Sequence, residues 1–338
     1  MSREKPLISI VILNFNGEKF ITDCLDSVLA QDYSNTEVIV IDNFSSDRSP
    51  KMIAEYLPKI EIVNNPTNLG FAKAMNMGIN KSKGEFVLTL NVDVTLEPDF
   101  LTNAFSSIVG DDRAGSVSGK IYRMDRTDPP TIDSTGHVIY KNRLFTDRGD
   151  GLPDTGQFNK REEIFGPCAG AALYRRSMLE DIEVGGEYFD SDFFMFLEDT
   201  DLSWRAQLRG WKSIYTPNAV AYHFRGGIAL RKSKLVEMHN YKNRYFMLIK
   251  NDSFSSIIKS LPHFIVTDTL KGVALLFRYP PALAGWADVI KKFPAMLRKR
   301  KTIQRGRKIS QKEFEESWLK PFNYREWIGK HLIGGKVK

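Results

Sequence analysis

The sequence LISIVILNFNGEKFITDCLDSVLAQDYSNTEVIVID, residues 7–42, joins two apolar runs of strand type through an amphipathic helical stretch. The same alternation continues through IEIVNN (60–65) and EFVLTLNVD (85–93), each preceded by a helical stretch. Strands that alternate with helices in this way predict a parallel sheet covered by helices. In such a sheet, ligands bind at the carboxyl ends of the strands.

Polar side chains follow each of these four strands. In chain order they are Asn14 and Asn16, then Asp42 and Asn43, then Asn64 and Asn65, then Asn91 and Asp93. Because the carboxyl ends of parallel strands meet at one edge of a sheet, we expect these residues to share that edge. The sequence therefore predicts a polar ligand site there.

A second informative stretch is FFMFLEDTDLSWRAQLRGW, residues 193–211, in which five apolar residues lead into Glu198, Asp199 and Asp201. One interpretation is structural: Thr200 or Asp199 caps a helix whose positive first turn attracts acids, and Gly210 ends it. Capping requires only one acid, however. An apolar approach raises the pKa of a carboxyl group and favours proton uptake, which a general base requires.

Composition and length narrow the class of protein. A chain of 338 residues with 42% apolar residues predicts a folded globular protein of one large or two modest domains. Cys24 and Cys168 lie far apart without CxxC spacing, which argues against a disulfide framework or structural zinc and favours a reducing, cytoplasmic compartment. No window reaches the roughly 18 apolar residues of a spanning helix, so we expect no integral membrane segment.

The net charge of +7 is unevenly distributed, with nine basic residues and no acid between Lys291 and Lys308. Such a run is typical of a solvated helix face, a mobile tail, or a site for anionic lipid or nucleic acid. The preceding segment, residues 256–290, mixes apolar and aromatic residues with few charges, as interfacial segments do. We therefore favour a peripheral position at the inner face of the cell membrane. No nucleic-acid-binding motif is present.

The rest of the chain divides by composition. Residues 123–163 are rich in Gly, Asp, Pro and Thr, which predicts loops with a short hairpin that could shape a substrate cleft. Residues 235–338 have mainly helical patterns, and we expect Pro262, Pro280, Pro281 and Pro294 to break those helices. The catalytic part is predicted to end near residue 230.

Six motifs occur in the order seen in inverting family 2 glycosyltransferases of the GT-A fold, and residues 7–228 resemble that family. The motifs are ISIVILNFNG, VIVIDNFSSD, NNPTNLGFAKAMNMGI, FVLTLNVDV, GPCAGAALYRR and FLEDTDLSWR. Within the family the chain is similar to bacterial dTDP-rhamnosyltransferases, because NVD (91–93) replaces a fully acidic DXD and IDSTGHVIYKNRLFTDRG (132–149) precedes the acceptor region.

The resemblance implies a GT-A α/β fold, a Rossmann-like and mostly parallel sheet flanked by helices. Residues 1–230 would form the catalytic domain, with a nucleotide-sugar half at about 1–115 and an acceptor half at about 116–230. A helical, basic region would follow at 231–338.

The resemblance also implies the reaction: inverting transfer of L-rhamnose from dTDP-rhamnose to a saccharide or lipid-linked hydroxyl in cell-envelope polysaccharide synthesis, with Mg²⁺ or Mn²⁺. A UDP-sugar donor and a catalytically inactive membrane scaffold are the alternatives. Nucleic acid is not an implied partner, and the oligomeric state is left open.

On the donor side, the resemblance assigns Asp42 to the imide N–H of uracil or thymine, with Asn43 beside it; a turn before Ser45 is the structural alternative for Asp42. The backbone at Leu13 and Asn14 would line the nucleoside pocket.

Three further donor residues lie in the NLGFAKAMNMGI motif. Asn68 and Gly70 would form the loop into the third helix, and Lys73 would reach a phosphate or simply be a surface lysine.

The implied metal ligands are Asp93 and His223, a set that suits Mg²⁺ or Mn²⁺. Asn91 would coordinate weakly or bond the ribose. A turn at Asn91–Asp93 and a structural histidine are the alternatives. The other histidines have no comparable context; they are His137, His239, His263 and His331.

The implied catalytic residues are Asp199 as general base and Glu198 as its neighbour, which orients the acceptor or assists electrostatically. On the following helix, we expect Arg205 to pair with Asp201 and Trp204 to pack in the core rather than stack on a sugar. Cys168 is expected to be a packed residue in a loop near donor or acceptor.

Other enzyme classes fit less well. A sugar nucleotidyltransferase needs a Gly-rich basic loop after the first strand, which NFNGEKF does not supply, and neither a P-loop nor a complete GxGxxG follows a strand. An inactive scaffold has no need for Asp93, Glu198, Asp199 and His223 together.

Overall fold

The computed structural model describes residues 5–125, 127–224, 234–278 and 284–325. Its first four strands run parallel, as the sequence predicts, and the structure places them in the order β3-β2-β1-β4. Their bounds are Ile8–Asn14 (β1), Thr36–Asp42 (β2), Glu61–Asn64 (β3) and Phe86–Asn91 (β4). The helices between them are α1 (Ile21–Leu29), α2 (Ser49–Ala54) and α3 (Gly70–Lys81).

The sheet continues beyond β4 with mixed strand directions. The strand β11 lies antiparallel between β4 and β6, and β12 runs parallel to β6. The strands of this half are β5 (Val94–Leu96), β6 (Ala114–Arg123), β7 (Ile132–Ser134), β10 (Glu162–Ile164), β11 (Ala171–Arg175) and β12 (Lys212–His223). The helices are α4 (Phe100–Ile108), α5 (Arg176–Asp181) and α6 (Glu198–Leu208), with a 3-10 turn at Ser191–Phe193.

The strand register gathers the predicted polar residues at one edge. Asn14 lies opposite Asp42, Asp42 lies opposite Asn64, and Leu13 lies opposite Asn91. The strand order reverses between β1 and β4, which is the place where open α/β sheets bind ligands. The predicted clustering of these strand ends is therefore confirmed.

The C-terminal helices pack on the sheet-bearing part and not away from it. They are α7 (Lys234–Asn251), α8 (Phe254–Arg278), α9 (Gly285–Arg305) and α10 (Gln311–Trp318). A small second sheet, β13-β8-β9, lies with them, built from His137–Tyr140 (β8), Phe145–Asp147 (β9) and Leu319–Lys320 (β13). One buried cluster joins Ile139 and Trp204 to Phe246 and Met296, so it crosses the predicted division near residue 230. That division stays a prediction.

Two predictions about α6 are confirmed. Trp204 is buried, and its ring stacks on Phe314 with centroids 5.4 Å apart, so it belongs to the core. Arg205 Nε lies 3.0 Å from Asp201 Oδ2, one turn back on the helix.

The prediction that the prolines break helices is wrong for two of the four. Pro262 lies inside α8 and Pro294 lies inside α9. Both are on the exposed side of their helix, where water can bond the carbonyl that each ring leaves without a donor. Pro280 and Pro281 lie outside the described residues.

Within the described ranges, no helix combines the length and the hydropathy required to cross a bilayer.

Candidate active site

The acidic segment has an unusual backbone. Phe194, Phe196 and Leu197 have φ values of 65°, 68° and 66°, in the left-handed region that non-glycine residues rarely adopt. α6 begins at Glu198, and Leu197 at its N-cap offers no capping side chain. The predicted cap by Thr200 or Asp199 is therefore wrong, because both residues already lie within the helix. Its predicted end is confirmed, since Gly210 has a φ of 74°.

Two side chains of α7 hold this segment in place. Asn243 is fully buried, and its Nδ2 donates to the carbonyl oxygens of Phe193, Met195 and Phe196 at 3.0, 2.9 and 2.8 Å. The ring of Phe194 stacks on His239 of the same helix at 5.3 Å. Strained backbone persists only where its surroundings over-determine it. These contacts from α7 therefore fix where Glu198 and Asp199 project.

The loop into α3 presses against the same segment. Gly70 has a φ of +75°, and a Cβ at this position would lie 2.5 Å from the carbonyl oxygen of Phe194. Its N–H is accepted by Asn68 Oδ1 at 2.9 Å, whereas Lys73 is exposed on the first turn of α3. Only glycine fits this contact, which joins the predicted donor loop to the acidic segment. A role of these residues in donor binding stays a prediction.

Asp199 is partly exposed and faces a histidine. Its Oδ2 accepts from the N–H of Ala169 at 3.1 Å and lies 3.6 Å from His137 Nε2. His137 Nε2 is also 3.7 Å from Asp147 Oδ1. No function was predicted for His137, yet the β8–β9 hairpin brings it beside the predicted base. The available signal was segment 132–149, which contains His137 and Asp147 but served only as a marker of a family branch.

Glu198 differs sharply from its neighbour in environment. It is 6% exposed, and its Oε2 accepts no hydrogen bond from the residues that the structure describes. Burial, together with the negative charge of Asp199, raises the pKa of Glu198 well above its usual range. Glu198 is therefore the carboxyl group that keeps its proton more readily than an ordinary glutamate. Asp199, at 15% side-chain exposure, is the one open to an incoming ligand.

Two adjacent residues connect the acidic segment to the end of β4. Ala169 donates its N–H to Asp199, and the carbonyl oxygen of Gly170 accepts from the N–H of Asn91 at 2.9 Å. Hydrogen bonds to two successive residues, Ala169 and Gly170, thus connect the predicted base to the end of β4, two residues before Asp93. Cys168 is half-buried in the same loop, as expected.

Asp93 and His223, the predicted metal ligands, are brought together by the pairing of β5 with β12. His223 Nε2 lies 3.4 Å from Asp93 Oδ1, and His223 Nδ1 lies 2.8 Å from Oδ2 of the fully buried Asp133. Burial lowers the pKa of His223, but the hydrogen bonds and charges of the two aspartates outweigh it and raise the pKa to about 9. Asp133 fixes the ring so that Nε2 faces Asp93.

These residues fit a divalent cation. A separation of 3.4 Å allows both atoms to bind one ion at about 2.1 Å each, and a carboxylate with an imidazole suits Mg²⁺ or Mn²⁺. A second set of ligand atoms, on His137, Asp147 and Cys168, lies within 4.8 Å of one another. Its thiol suits a softer metal than one that binds phosphate oxygens. Asp93 and His223 are thus the better match to a diphosphate-bound ion.

The residues predicted to bind the nucleoside form a buried network. Asn14 Nδ2 donates to Asp42 Oδ1 at 2.8 Å and to Ser49 Oγ at 2.9 Å, while Asp42 Oδ2 accepts from the N–H of Ser45 at 3.2 Å. The turn before Ser45 is therefore present. Each carboxylate oxygen has a second lone pair, so a bond to a nucleobase stays a prediction. Leu13 is half-buried on the same strand end.

Asn43 shapes the neighbouring loop. Its Oδ1 accepts from Asn65 Nδ2 and from the N–H of Leu69, both at 3.0 Å, and its Nδ2 donates to Asn68 Oδ1 at 3.0 Å. The side chain is thus engaged within the protein, and a direct contact with the donor stays a prediction. Asn91, at the end of β4, is half-buried.

Comparison with known proteins agrees with this arrangement. Residues 9–183 match the family described as Glycosyl transferase family 2. The chain belongs to this family. Its α/β architecture is the GT-A fold, as expected from the six motifs.

Relatives of this family 2 glycosyltransferase include two bacterial proteins. The poly-beta-1,6-N-acetyl-D-glucosamine synthase of Staphylococcus epidermidis is 25% identical over 225 residues, covering 64% of this chain and 49% of the relative. The putative glycosyltransferase EpsH of Bacillus subtilis is 27% identical over 285 residues, covering 78% and 75%. The chain thus spans about half the length of the first relative.

A solved structure shares the fold. GalNAc-T7 with UDP, GalNAc and Mn²⁺ superposes with a TM-score of 0.57 at 14% identity, covering 82% of this chain and 59% of that protein.

Proposed function

We propose that this family 2 glycosyltransferase moves a sugar from a nucleoside-diphosphate donor to a hydroxyl acceptor with inversion at the anomeric carbon. The observation that carries the proposal is the link through Ala169 and Gly170, which connects Asp199 to the end of β4. Asp93 follows that strand end and lies 3.4 Å from His223. A base and a site for the leaving diphosphate must adjoin each other in such a reaction.

In this proposal, Asp93 and His223 hold a divalent cation, with Mn²⁺ favoured because it accompanies UDP in the GalNAc-T7 structure. When bound, the cation stabilises charge on the departing nucleoside diphosphate. Asp199 takes the proton of the acceptor hydroxyl as its oxygen bonds the anomeric carbon and the bond to the diphosphate breaks. A single displacement inverts the configuration. Glu198 supports the acceptor as a buried carboxyl group.

The donor proposed first is dTDP-L-rhamnose, from the NVD motif and segment 132–149. A UDP sugar is equally compatible, and the presence of UDP in the GalNAc-T7 structure supports that alternative. Asp42 suits either nucleotide, because uracil and thymine share the imide N–H. The acceptor proposed is a saccharide or a lipid-linked saccharide of the cell envelope, supported by the polysaccharide synthase among the relatives.

A thermal-shift panel of nucleotide sugars with and without Mn²⁺ tests the donor. We expect one sugar nucleotide to raise the melting temperature by several degrees with Mn²⁺, through preferential binding to the folded state. Asp93→Asn should abolish the Mn²⁺-dependent part, whereas Asp99→Asn, in the neighbouring turn, should not. A preference for UDP sugars would remove the rhamnose assignment, and no stabilisation by any sugar nucleotide would contradict the proposed function.

Turnover separates an enzyme from an inactive scaffold. Asp199→Asn should bind the preferred donor as the unaltered protein does but lose about 100-fold or more in kcat, as expected for removal of a general base. Substantial remaining activity would refute Asp199 as the base. Absence of turnover by the unaltered protein with every donor that it binds would favour the scaffold alternative.

A further inference from the structure

Most of the basic run between Lys291 and Lys308 lies in α9, where its residues are divided between two sides of the helix. Lys292 and Lys299 pair with Asp192 at 2.7 and 2.8 Å, and Arg300 donates to the carbonyl oxygen of Ile249 at 2.8 Å. The charges of these three residues are therefore engaged in contacts with other elements of the protein. The run as a whole is not a solvated tail.

The other side of α9 is exposed and carries a line of apolar side chains. Trp286, Ile290, Phe293 and Leu297 are 40%, 71%, 45% and 37% exposed. At about 100° per residue they span only about 60° of the helix circumference. We call them the outer stripe of α9. The buried contacts of the helix lie on a different face, through Val289, Met296 and Ile303.

Four cations border this outer stripe along one side. Lys291, Arg298, Lys301 and Arg305 are exposed, and they make no ion pair with the residues that the structure describes. Helical spacing places all four on the same flank of the stripe. Asp288, the acidic residue of α9, pairs instead with Lys242. The exposed surface of α9 thus has an apolar stripe with a row of basic side chains along one side of it.

α8 repeats the apolar line. Phe254, Ile258, Leu261 and Ile265 form its outer stripe and are 64%, 70%, 47% and 60% exposed. The side of α8 that faces the protein buries Ser256, Ser260 and Thr267 together with Phe264 and Leu275, so apolar side chains lie on both sides of this helix. The ring of Phe254 lies 3.9 Å from the Arg300 guanidinium, one turn beyond Leu297, and so joins the α8 stripe to α9.

We propose that the outer stripes of α8 and α9 form a surface that docks on an anionic lipid bilayer, with the four bordering cations at the headgroups. Helices that lie in the membrane interface combine Trp, Phe and Leu on one side with Lys and Arg on the adjoining side. A second copy of the chain would bring its own cations to the contact, whereas an anionic bilayer supplies the counter-charge. The surface therefore fits lipid better than self-association.

Vesicle flotation of the full chain tests this surface. We expect flotation with vesicles of phosphatidylglycerol and phosphatidylcholine, little with phosphatidylcholine alone, and weakening at high salt. Arg298→Gln/Lys301→Gln/Arg305→Gln should lower the partition coefficient about 100-fold, at about fivefold for each cation. The matched control is Lys51→Gln/Lys59→Gln/Lys83→Gln, which removes the same charge from exposed positions elsewhere and should float like the unaltered protein.

The apolar part is tested separately. Ile290→Ser/Phe293→Ser on α9 and Ile258→Ser/Ile265→Ser on α8 should each reduce flotation about tenfold or more while leaving the melting temperature unchanged, because these side chains are exposed. Flotation unchanged in these variants, flotation that is equally strong without anionic lipid, or variants that alter only the molecular mass in light scattering would overturn the proposal. Nucleotide-sugar binding is measured independently, so its failure is distinguishable.

Discussion

At the scale of single residues, the two neighbouring acids have separate physical characters. Glu198 is buried, with a raised pKa, whereas Asp199 is open and contacts His137. The sequence pattern could indicate the acidic cluster, but it could not show that Glu198 is buried while Asp199 is accessible. Burial and the approach of His137 are set by distant parts of the chain.

Glu198→Gln should stabilise the protein at neutral pH. The folded state keeps a proton on Glu198 over a pH range in which the unfolded chain, with an ordinary pKa near 4.3, has lost it. The free energy of unfolding of the unaltered protein therefore falls as the pH rises above about 4.3 and towards the raised pKa. The loss is about 1.4 kcal/mol for each pH unit between the pKa of Glu198 in the unfolded and the folded state. The melting temperature of Glu198→Gln should exceed that of the unaltered protein more at pH 7 than at pH 4.5. Glu180→Gln, exposed on α5, is the control; a gap that does not widen with pH would contradict the prediction.

Asp133→Asn should weaken metal binding without altering a proposed ligand. Asp133 holds the His223 ring through Nδ1, and loss of such an outer carboxylate typically costs about 10–100-fold in metal affinity. Titration of Mn²⁺, followed by the paramagnetic resonance signal of the free ion, measures the change. Asp150→Asn is the matched control because Asp150 pairs with Arg123, which also lies 3.7 Å from Asp133. Equal Mn²⁺ affinity in both variants would exclude an orienting role for Asp133.

At the scale of elements, the first four strands follow from the sequence because their alternation with helices is local. Other placements depend on contacts between remote positions. The β8–β9 turn is anchored by the buried pair of Arg143 and Asp252, 109 positions apart at 2.9 Å. No periodicity within segment 132–149 encodes such a pair, so the hairpin was predictable but its packing against α7 and α8 was not. That packing carries His137 to the base.

Asn243→Ala should release the acidic segment. It removes the amide donor that three carbonyl oxygens share, and leaving buried acceptors unpaired costs about 1–3 kcal/mol. We expect a lower melting temperature and a kcat reduced more than the apparent affinity for donor, because the strands that carry the predicted nucleoside pocket are untouched. We call the three hydrogen bonds of Asn243 the amide clamp. Asn323→Ala, remote in sequence from this clamp, provides a comparison for amide removal. A kcat unchanged by Asn243→Ala would show that the segment holds its conformation without the clamp.

At the scale of the whole molecule, the sheet and the C-terminal helices share buried charge as well as apolar core. Lys250 of α7 pairs with Asp190 and, at 3.0 Å, with Asp201 of α6; both aspartates are buried. Removing one partner of a buried ion pair typically costs about 3–5 kcal/mol. The predicted boundary near residue 230 marks a change in amino-acid composition, but these ion pairs join residues on its two sides.

A fragment ending at residue 230 should therefore not fold as the full chain does. It would expose the apolar residues that contact α7, α9 and α10, and it would leave Asp201 without Lys250. We expect aggregation or a melting transition lowered by more than 10 °C, measured by light scattering and calorimetry. A fragment ending at residue 325 is the control. A cooperative transition of the short fragment at the temperature of the full chain would establish residues 1–230 as an independent domain.

The amide clamp of Asn243 also bears on the order in which the chain is made. The strands that carry the predicted donor-binding residues are synthesised before the acidic segment, whereas Asn243 follows the three carbonyl groups that it bonds by 47 to 50 positions. A nascent chain could thus assemble the predicted nucleotide pocket before the proposed base is in place. Under the proposed roles, catalytic competence would arrive only when α7, which is made after the acidic segment, docks on that segment.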